Sequence, residues 1–112
     1  MRSVAIKRAY DPPSSQDGTR ILVDRLWPRG ISKRKAALDG WMKDVAPSPA
    51  LRQWFSHEPE RFKEFSRRYR AELKGNPALD ALRGLKGKVT LVYGARDPKI
   101  NHAIVLAKVL KP

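Results

Sequence analysis

Two arginines flank an aromatic in Arg25-Leu-Trp-Pro-Arg29, and a third precedes an asparagine–histidine pair in Tyr93-Gly-Ala-Arg-Asp-Pro-Lys-Ile-Asn-His102. A guanidinium presents a planar fork of N–H donors that suits bidentate capture of phosphate or carboxylate. Arg25, Arg29 and Arg96 are therefore candidates for neutralising an anion, and Trp27 or Tyr93 for stacking on a ring. Asn101 is a candidate for a polar contact with the same ligand. His102, whose ordinary pKa is close to neutral, could orient that ligand or transfer a proton. Each residue also has a plainer role open to it. Trp27 packs in a core while Arg25 pairs with Asp24 or another carboxylate. Asp97 is only a helix cap ahead of proline, as Ser48-Pro49 and Asn76-Pro77 are at two earlier helices. His102, on the apolar side of its helix, is a hydrogen-bonded core residue. His57, just before Glu58-Pro59, reads as structural.

The elements that would position these groups follow from hydrophobic periodicity. Val4-Ala-Ile6, Thr19-Arg-Ile-Leu-Val-Asp24 and Lys88-Val-Thr-Leu-Val92 are short apolar, β-branched runs that read as strands. Trp41 to Val45 is an ambiguous third strand in chain order. Ser32 caps a short helix through Leu38, Ser48-Pro49 opens a helix through Phe55, and a longer helix runs from near His57 to Lys74. Phe62, Phe65, Tyr69 and Leu73 recur on one face of that helix, with Glu64 and Arg68 paired on the other. Asn76-Pro77 opens a helix over Ala78 to Leu82, and Asp97-Pro98 opens the last one. Tyr10 to Gly18 concentrates Pro, Ser, Asp and Gly and is a loop, read either as a mobile flap over a site or as a disordered surface loop. The pattern implies a single three-layer α/β domain over residues 1–112, with a small, mainly parallel sheet of about four strands and helices on both faces. In such sheets ligands bind outside the carboxyl ends of the strands, where both arginine-bearing turns fall.

Composition narrows the chemistry. With no cysteine and only two histidines, far apart, thiolate nucleophiles and disulfides are excluded, and neither a metal site nor a cofactor is implied. No phosphate-loop, dinucleotide-binding or serine-elbow motif occurs. No stretch approaches the roughly 20 apolar residues of a membrane span, so a cytoplasmic protein without membrane partners is expected. Twenty-four Lys and Arg against eleven Asp and Glu leave a formal charge of +13, which favours a phosphorylated small molecule, a nucleotide or a nucleic acid as partner. Two function classes follow. The first is binding, with or without transformation, of a phosphorylated or nucleotide-like ligand at the strand exits. The alternative is a nucleic-acid-binding accessory protein using Lys33-Arg34-Lys35 and the basic side of the long helix. Oligomeric state and reaction are left unassigned.

Four segments, Val23-Asp-Arg-Leu-Trp-Pro-Arg-Gly-Ile-Ser32, Trp41-Met-Lys-Asp-Val-Ala-Pro-Ser48, Leu51-Arg-Gln-Trp-Phe55 and Thr90-Leu-Val-Tyr-Gly-Ala-Arg-Asp97 with Asn101-His102, resemble the YeaO-like branch of the bacterial domain-of-unknown-function 488 family. The resemblance extends over essentially the whole chain and implies a small bacterial α/β protein. Other branches resemble this one across the last strand and helix but carry cysteines at the positions of Tyr93 and Asn101, followed by a similar histidine. Cysteine chemistry therefore does not carry over to this chain.

Overall fold

β-Branched and aliphatic runs become strands here, and the register between them decides which distant residues meet. A computed structural model describes residues 1–111. Strands β1 (Ser3–Arg8), β2 (Thr19–Leu22), β3 (Gly40–Trp41) and β4 (Lys88–Tyr93) form one sheet in the order β1-β4-β2-β3, with every neighbouring pair parallel. The fold is α/β, and the sheet is wholly parallel. The third strand is shorter than expected: only Gly40 and Trp41 pair with Ile21 and Leu22, and Lys43–Val45 is a 3-10 turn.

Five helices complete the domain: α1 (Lys33–Ala36), α2 (Pro49–Phe55), α3 (Phe62–Leu73), α4 (Pro77–Arg83) and α5 (His102–Leu110). The Ser32, Ser48 and Asn76 side chains accept from the backbone N–H groups of Lys35, Leu51 and Ala78, which satisfies donors that a helix start leaves free. Helix α3 begins at Phe62 rather than near His57, because Pro59–Arg61 forms a 3-10 turn ahead of it.

Alternation along β2 and β4 sorts side chains between the two faces. Ile21, Val23, Val89, Leu91 and Tyr93 enter the main core with Phe55, Phe65, Tyr69, Leu73 and the apolar side of α5. Phe55 and Phe65 stack there with ring centroids 4.3 Å apart. Leu22 and Val92 point the other way and pack with Ala9, Trp27, Ile31 and Leu38. No helix among the described residues is long and apolar enough to cross a membrane.

Helix α1 and the segment Tyr10 to Gly18 cover this second face, and that segment is tied down rather than a loose flap. Ser14 caps the 3-10 turn Ser15–Asp17 in a capping box. Asp17, only 6% exposed, accepts from Lys7 Nζ at 2.9 Å, Arg20 Nη1 at 2.6 Å and the Ser14 N–H at 3.0 Å. Its carbonyl takes the Thr90 hydroxyl at 2.7 Å. Burial by itself would raise the Asp17 carboxyl, but the hydrogen bonds from Lys7, Ser14 and Arg20 outweigh it and hold the group down at about 2.

Gly18 closes this segment with φ +66°, and a Cβ there would stand 2.4 Å from the Lys88 carbonyl oxygen. A backbone oxygen has little freedom to move aside. Gly18→Ala is therefore expected to lower unfolding free energy by about 2 kcal/mol, combining left-handed strain with a steric clash. Urea denaturation at unchanged m-value checks this, and an unchanged midpoint would contradict the packing described.

Candidate functional site

After β2 the chain passes to α1 on one face, and after β4 it passes to α5 on the other. Where parallel strands send their connections to opposite faces, a crevice opens at their carboxyl ends. Here that crevice is a cleft of about 220 Å³. Asp24, Arg25 and Leu26 line it from the exit of β2, Gly94 and Ala95 from the exit of β4, and Asn101 and His102 from the start of α5. Ala46 and Pro47, with Arg52, Phe55, His57 and Phe65, complete the wall. The two strand exits thus meet at one cleft.

Register explains the floor. Leu22 of β2 lies beside Val92 of β4, so continuing the ladder by two residues brings Asp24 beside Gly94. The Gly94 N–H donates to Asp24 Oδ2 at 2.8 Å, and a Cβ on residue 94 would sit 3.0 Å from that oxygen. Glycine is what lets the carboxylate come this close. His102 Nε2 lies 3.1 Å from the Val23 carbonyl and 3.1 Å from Asp24 Oδ1. Both neighbours are acceptors, so this nitrogen carries the ring's proton, an assignment made from the surroundings. The geometry favours Val23, and Asp24 Oδ1, although buried, accepts no hydrogen bond.

His102 is held from its other side by Tyr69, edge-on at 6.2 Å between ring centroids. The Tyr69 hydroxyl donates to the Val45 carbonyl. Burial, then the nearby Glu72 and Asp24 charges, push that phenol above its ordinary range, so it stays a neutral donor.

Arg25 is half-buried beside this pair. Its Nη2 reaches the carbonyls of Ala46 and Pro47 only at 3.4 Å each, the long limit for a hydrogen bond, and its buried Nε has no acceptor among the described residues. It pairs with no carboxylate among the described residues, and Asp24 Oδ2 accepts instead from the Gly94 N–H. A buried donor left unmatched costs about 1–3 kcal/mol, so the site is built at some expense to the fold.

Asn101 is buried and occupied. Its Nδ2 donates to the Asp97 carbonyl at 2.8 Å, and its Oδ1 accepts from the Ile104 N–H at 3.0 Å. This corrects the expected start of the last helix. Asp97 caps a preceding turn, accepting from the N–H groups of Lys99 and Ile100, and Asn101 is the residue that caps α5.

The other predicted residues lie outside the cleft lining. Trp27 faces the second core, donates to the Ile31 carbonyl at 2.7 Å and meets Trp41 edge-on at 5.5 Å. Tyr93 is 2% exposed within the main core. Arg29 is exposed and gives its carbonyl to the Tyr10 hydroxyl at 2.9 Å. Arg96 is exposed on the loop before α5. Conversely, nothing in the sequence pattern marks Arg52 or His57 for the site; Gly94 is expected there to allow close ligand approach, and Asp24 is offered only as a partner for Arg25. Ser56 and His57 adopt φ +48° and +56°, consecutive left-handed residues without glycine, each costing on the order of 1 kcal/mol.

The lining carries two guanidinium groups, two imidazoles and one carboxylate, whose Oδ2 accepts from the Gly94 N–H and whose Oδ1 lies 3.1 Å from His102 Nε2. It contains no hydroxyl, thiol or lysine amine. Such a surface can hold an anion and exchange a proton through His102.

The model of the inactive DUF488-N3 subclade matches residues 3–112. The chain belongs to this family. Uncharacterized proteins of Mycobacterium bovis and Mycobacterium tuberculosis are each 48% identical to it over 109 residues, covering 96% of this chain and 92% of theirs. The uncharacterized protein YeaO of Escherichia coli K12 is 44% identical over 114 residues, covering 97% of both chains. The YeaO-like resemblance of the four segments is thereby shown. No solved structure matches the chain. In this member of the subclade Tyr93 is sealed in the core and Asn101 is spent on a helix cap, so neither position presents a side chain free to react.

Proposed function

We propose that this protein is a cytoplasmic binding protein for a phosphorylated or nucleotide-like ligand, taken up in the cleft outside the carboxyl ends of β2 and β4. The observation that carries this reading is Arg25, a half-buried guanidinium at the cleft whose Nε has no acceptor and whose Nη2 makes only long contacts. Arg52 adds a second cation at the mouth. Binding without turnover is favoured over transformation, because the lining lacks a hydroxyl, thiol or lysine amine and the family is described as inactive. His102 then serves to fix the floor through the Val23 carbonyl. The rival reading, a nucleic-acid-binding accessory protein, has less support: Arg67 and Arg68 on α3 are already bonded to Glu64 at 2.7 Å each.

Titrating the labelled protein with inorganic phosphate and with a nucleoside 5′-monophosphate, followed by amide chemical shifts, tests this. Shifts at Arg25, Gly94, Ala95 and His102 are expected. Shifts confined to Lys33–Lys35 and the outer side of α3, appearing with oligonucleotides alone, would replace the cleft reading with the rival.

A further inference from the structure

Taken alone, the sequence gives His57 only a structural part at a helix entrance. Its surroundings argue otherwise. It lies on the exit of α2, exposed at the mouth of the cleft, with its ring 6.1 Å from that of Phe55. It shares the lining with Arg25 and Arg52. Its backbone and that of Ser56 sit at φ +56° and +48°. Elsewhere the chain meets left-handed positions with glycine: Gly30, Gly75 and Gly87 stand at φ +75°, +75° and +72°, with nothing within 4 Å of a would-be Cβ. The remaining non-glycine case, Ala37 at φ +47°, has a structural reason, since its carbonyl and that of Ala36 bind the buried Arg20 guanidinium. No comparable bond fixes the His57 ring among the described residues. The Ser56–His57 turn is closed by backbone hydrogen bonds from the Ser56 N–H to the Arg52 carbonyl at 3.1 Å and from the Glu58 N–H to the Phe55 carbonyl at 3.0 Å. It leaves an imidazole at positive φ exposed and, among the described residues, unbonded at the cleft mouth, an outlier that motivates a role for the side chain.

We propose that His57 is a ligand-contact residue, which with Arg25 and Arg52 surrounds the phosphate of a phosphomonoester at the cleft mouth. The inference rests on the cleft-binding reading above and deepens it. Two guanidiniums and an imidazole around one opening outnumber the single lining carboxylate, Asp24, whose Oδ2 is held by the Gly94 N–H, and suit a group carrying close to two negative charges near neutral pH better than a single carboxylate. The imidazole supplies an N–H to a phosphate oxygen from the cleft mouth, where its ring lies 6.1 Å from that of Phe55.

The test compares wild type with His57→Gly and Arg25→Met in thermal unfolding and in calorimetric titration with a nucleoside 5′-monophosphate. Glycine relieves the strain, so His57→Gly should raise Tm by roughly 2–4 °C while weakening binding by roughly tenfold. A variant that gains stability and loses affinity is not explained by a structural histidine. A lowered Tm, or a raised Tm with unchanged affinity, overturns the proposal for His57. If wild type binds and Arg25→Met does not, that outcome leaves the cleft reading standing. If wild type shows no heat or shift with the monophosphate, the cleft reading fails and this inference fails with it.

Discussion

Replacing Asp17 by alanine will lower the unfolding free energy by about 3 kcal/mol, among the larger losses expected of a single substitution here. The carboxylate is 6% exposed and faces two cations, so its removal leaves the 4% exposed Arg20 guanidinium without a counter-charge. Lys7, with 23% of its side chain exposed, can turn its ammonium to water, which keeps the loss at the lower end of the range for broken buried pairs. The pH dependence has a definite sign. Folding depresses the Asp17 carboxyl from 3.8 to about 2, so its contribution is present above the ordinary value and is lost as pH falls toward the depressed one. Wild type should therefore lose more stability than Asp17→Asn across that window, as read by urea midpoints at successive pH values. Parallel curves for the two proteins would show that the ion cluster beneath the sheet contributes nothing.

Arg25→Met should weaken binding of a nucleoside monophosphate by roughly 30- to 100-fold while leaving Tm unchanged or slightly higher. The loss follows from deleting charge-assisted hydrogen bonds worth about 1.5–3 kcal/mol from a half-buried guanidinium. The neutral effect on stability follows from what Arg25 does in the free protein, where its Nε is unmatched and its Nη2 contacts are 3.4 Å long. An apolar chain of similar length removes a buried donor that had no acceptor. Calorimetric titration and thermal unfolding of the same preparation separate the two effects. A fall of many degrees with binding intact would make Arg25 a structural residue.

The sequence alone already disclosed the sheet, and the reason is local. Val4 to Ile6, Thr19 to Val23 and Val89 to Val92 are β-branched or aliphatic runs that hardly any other element accommodates. Ser32, Ser48 and Asn76 were readable as caps because each needs only its own side chain and an N–H two or three residues on. The last helix was misplaced for an instructive reason. Asp97 does cap something, but it is the turn through Ile100, and a second cap at Asn101 starts α5. β3 was obscure because two residues carry no periodicity, and their pairing with Ile21 and Leu22 is purely tertiary.

The same division runs through the site. Arg25 and His102 were visible as chemically able residues at strand exits, and both line the cleft. Asp24 stands next to Arg25 in sequence, but its Oδ2 accepts from the Gly94 N–H, 70 positions away and reached only through the parallel register. Of the two roles open to Trp27, stacking on a ligand and packing in a core, its neighbours in sequence favour the first. Yet Leu22 and Val92 face the second core, and the indole follows them there. His57 could not be found from sequence at all, because what singles it out is a backbone angle.

The most direct measurement is a crystal grown without sulfate or phosphate and then soaked with a nucleoside 5′-monophosphate. Phosphate density is expected at the cleft mouth, with an oxygen about 3 Å from the Arg25 guanidinium and the Arg52 side chain turned toward it. Density for the ligand on the outer side of α3 instead, or an empty cleft with Arg25 still directed at the Ala46 and Pro47 carbonyls, would contradict it.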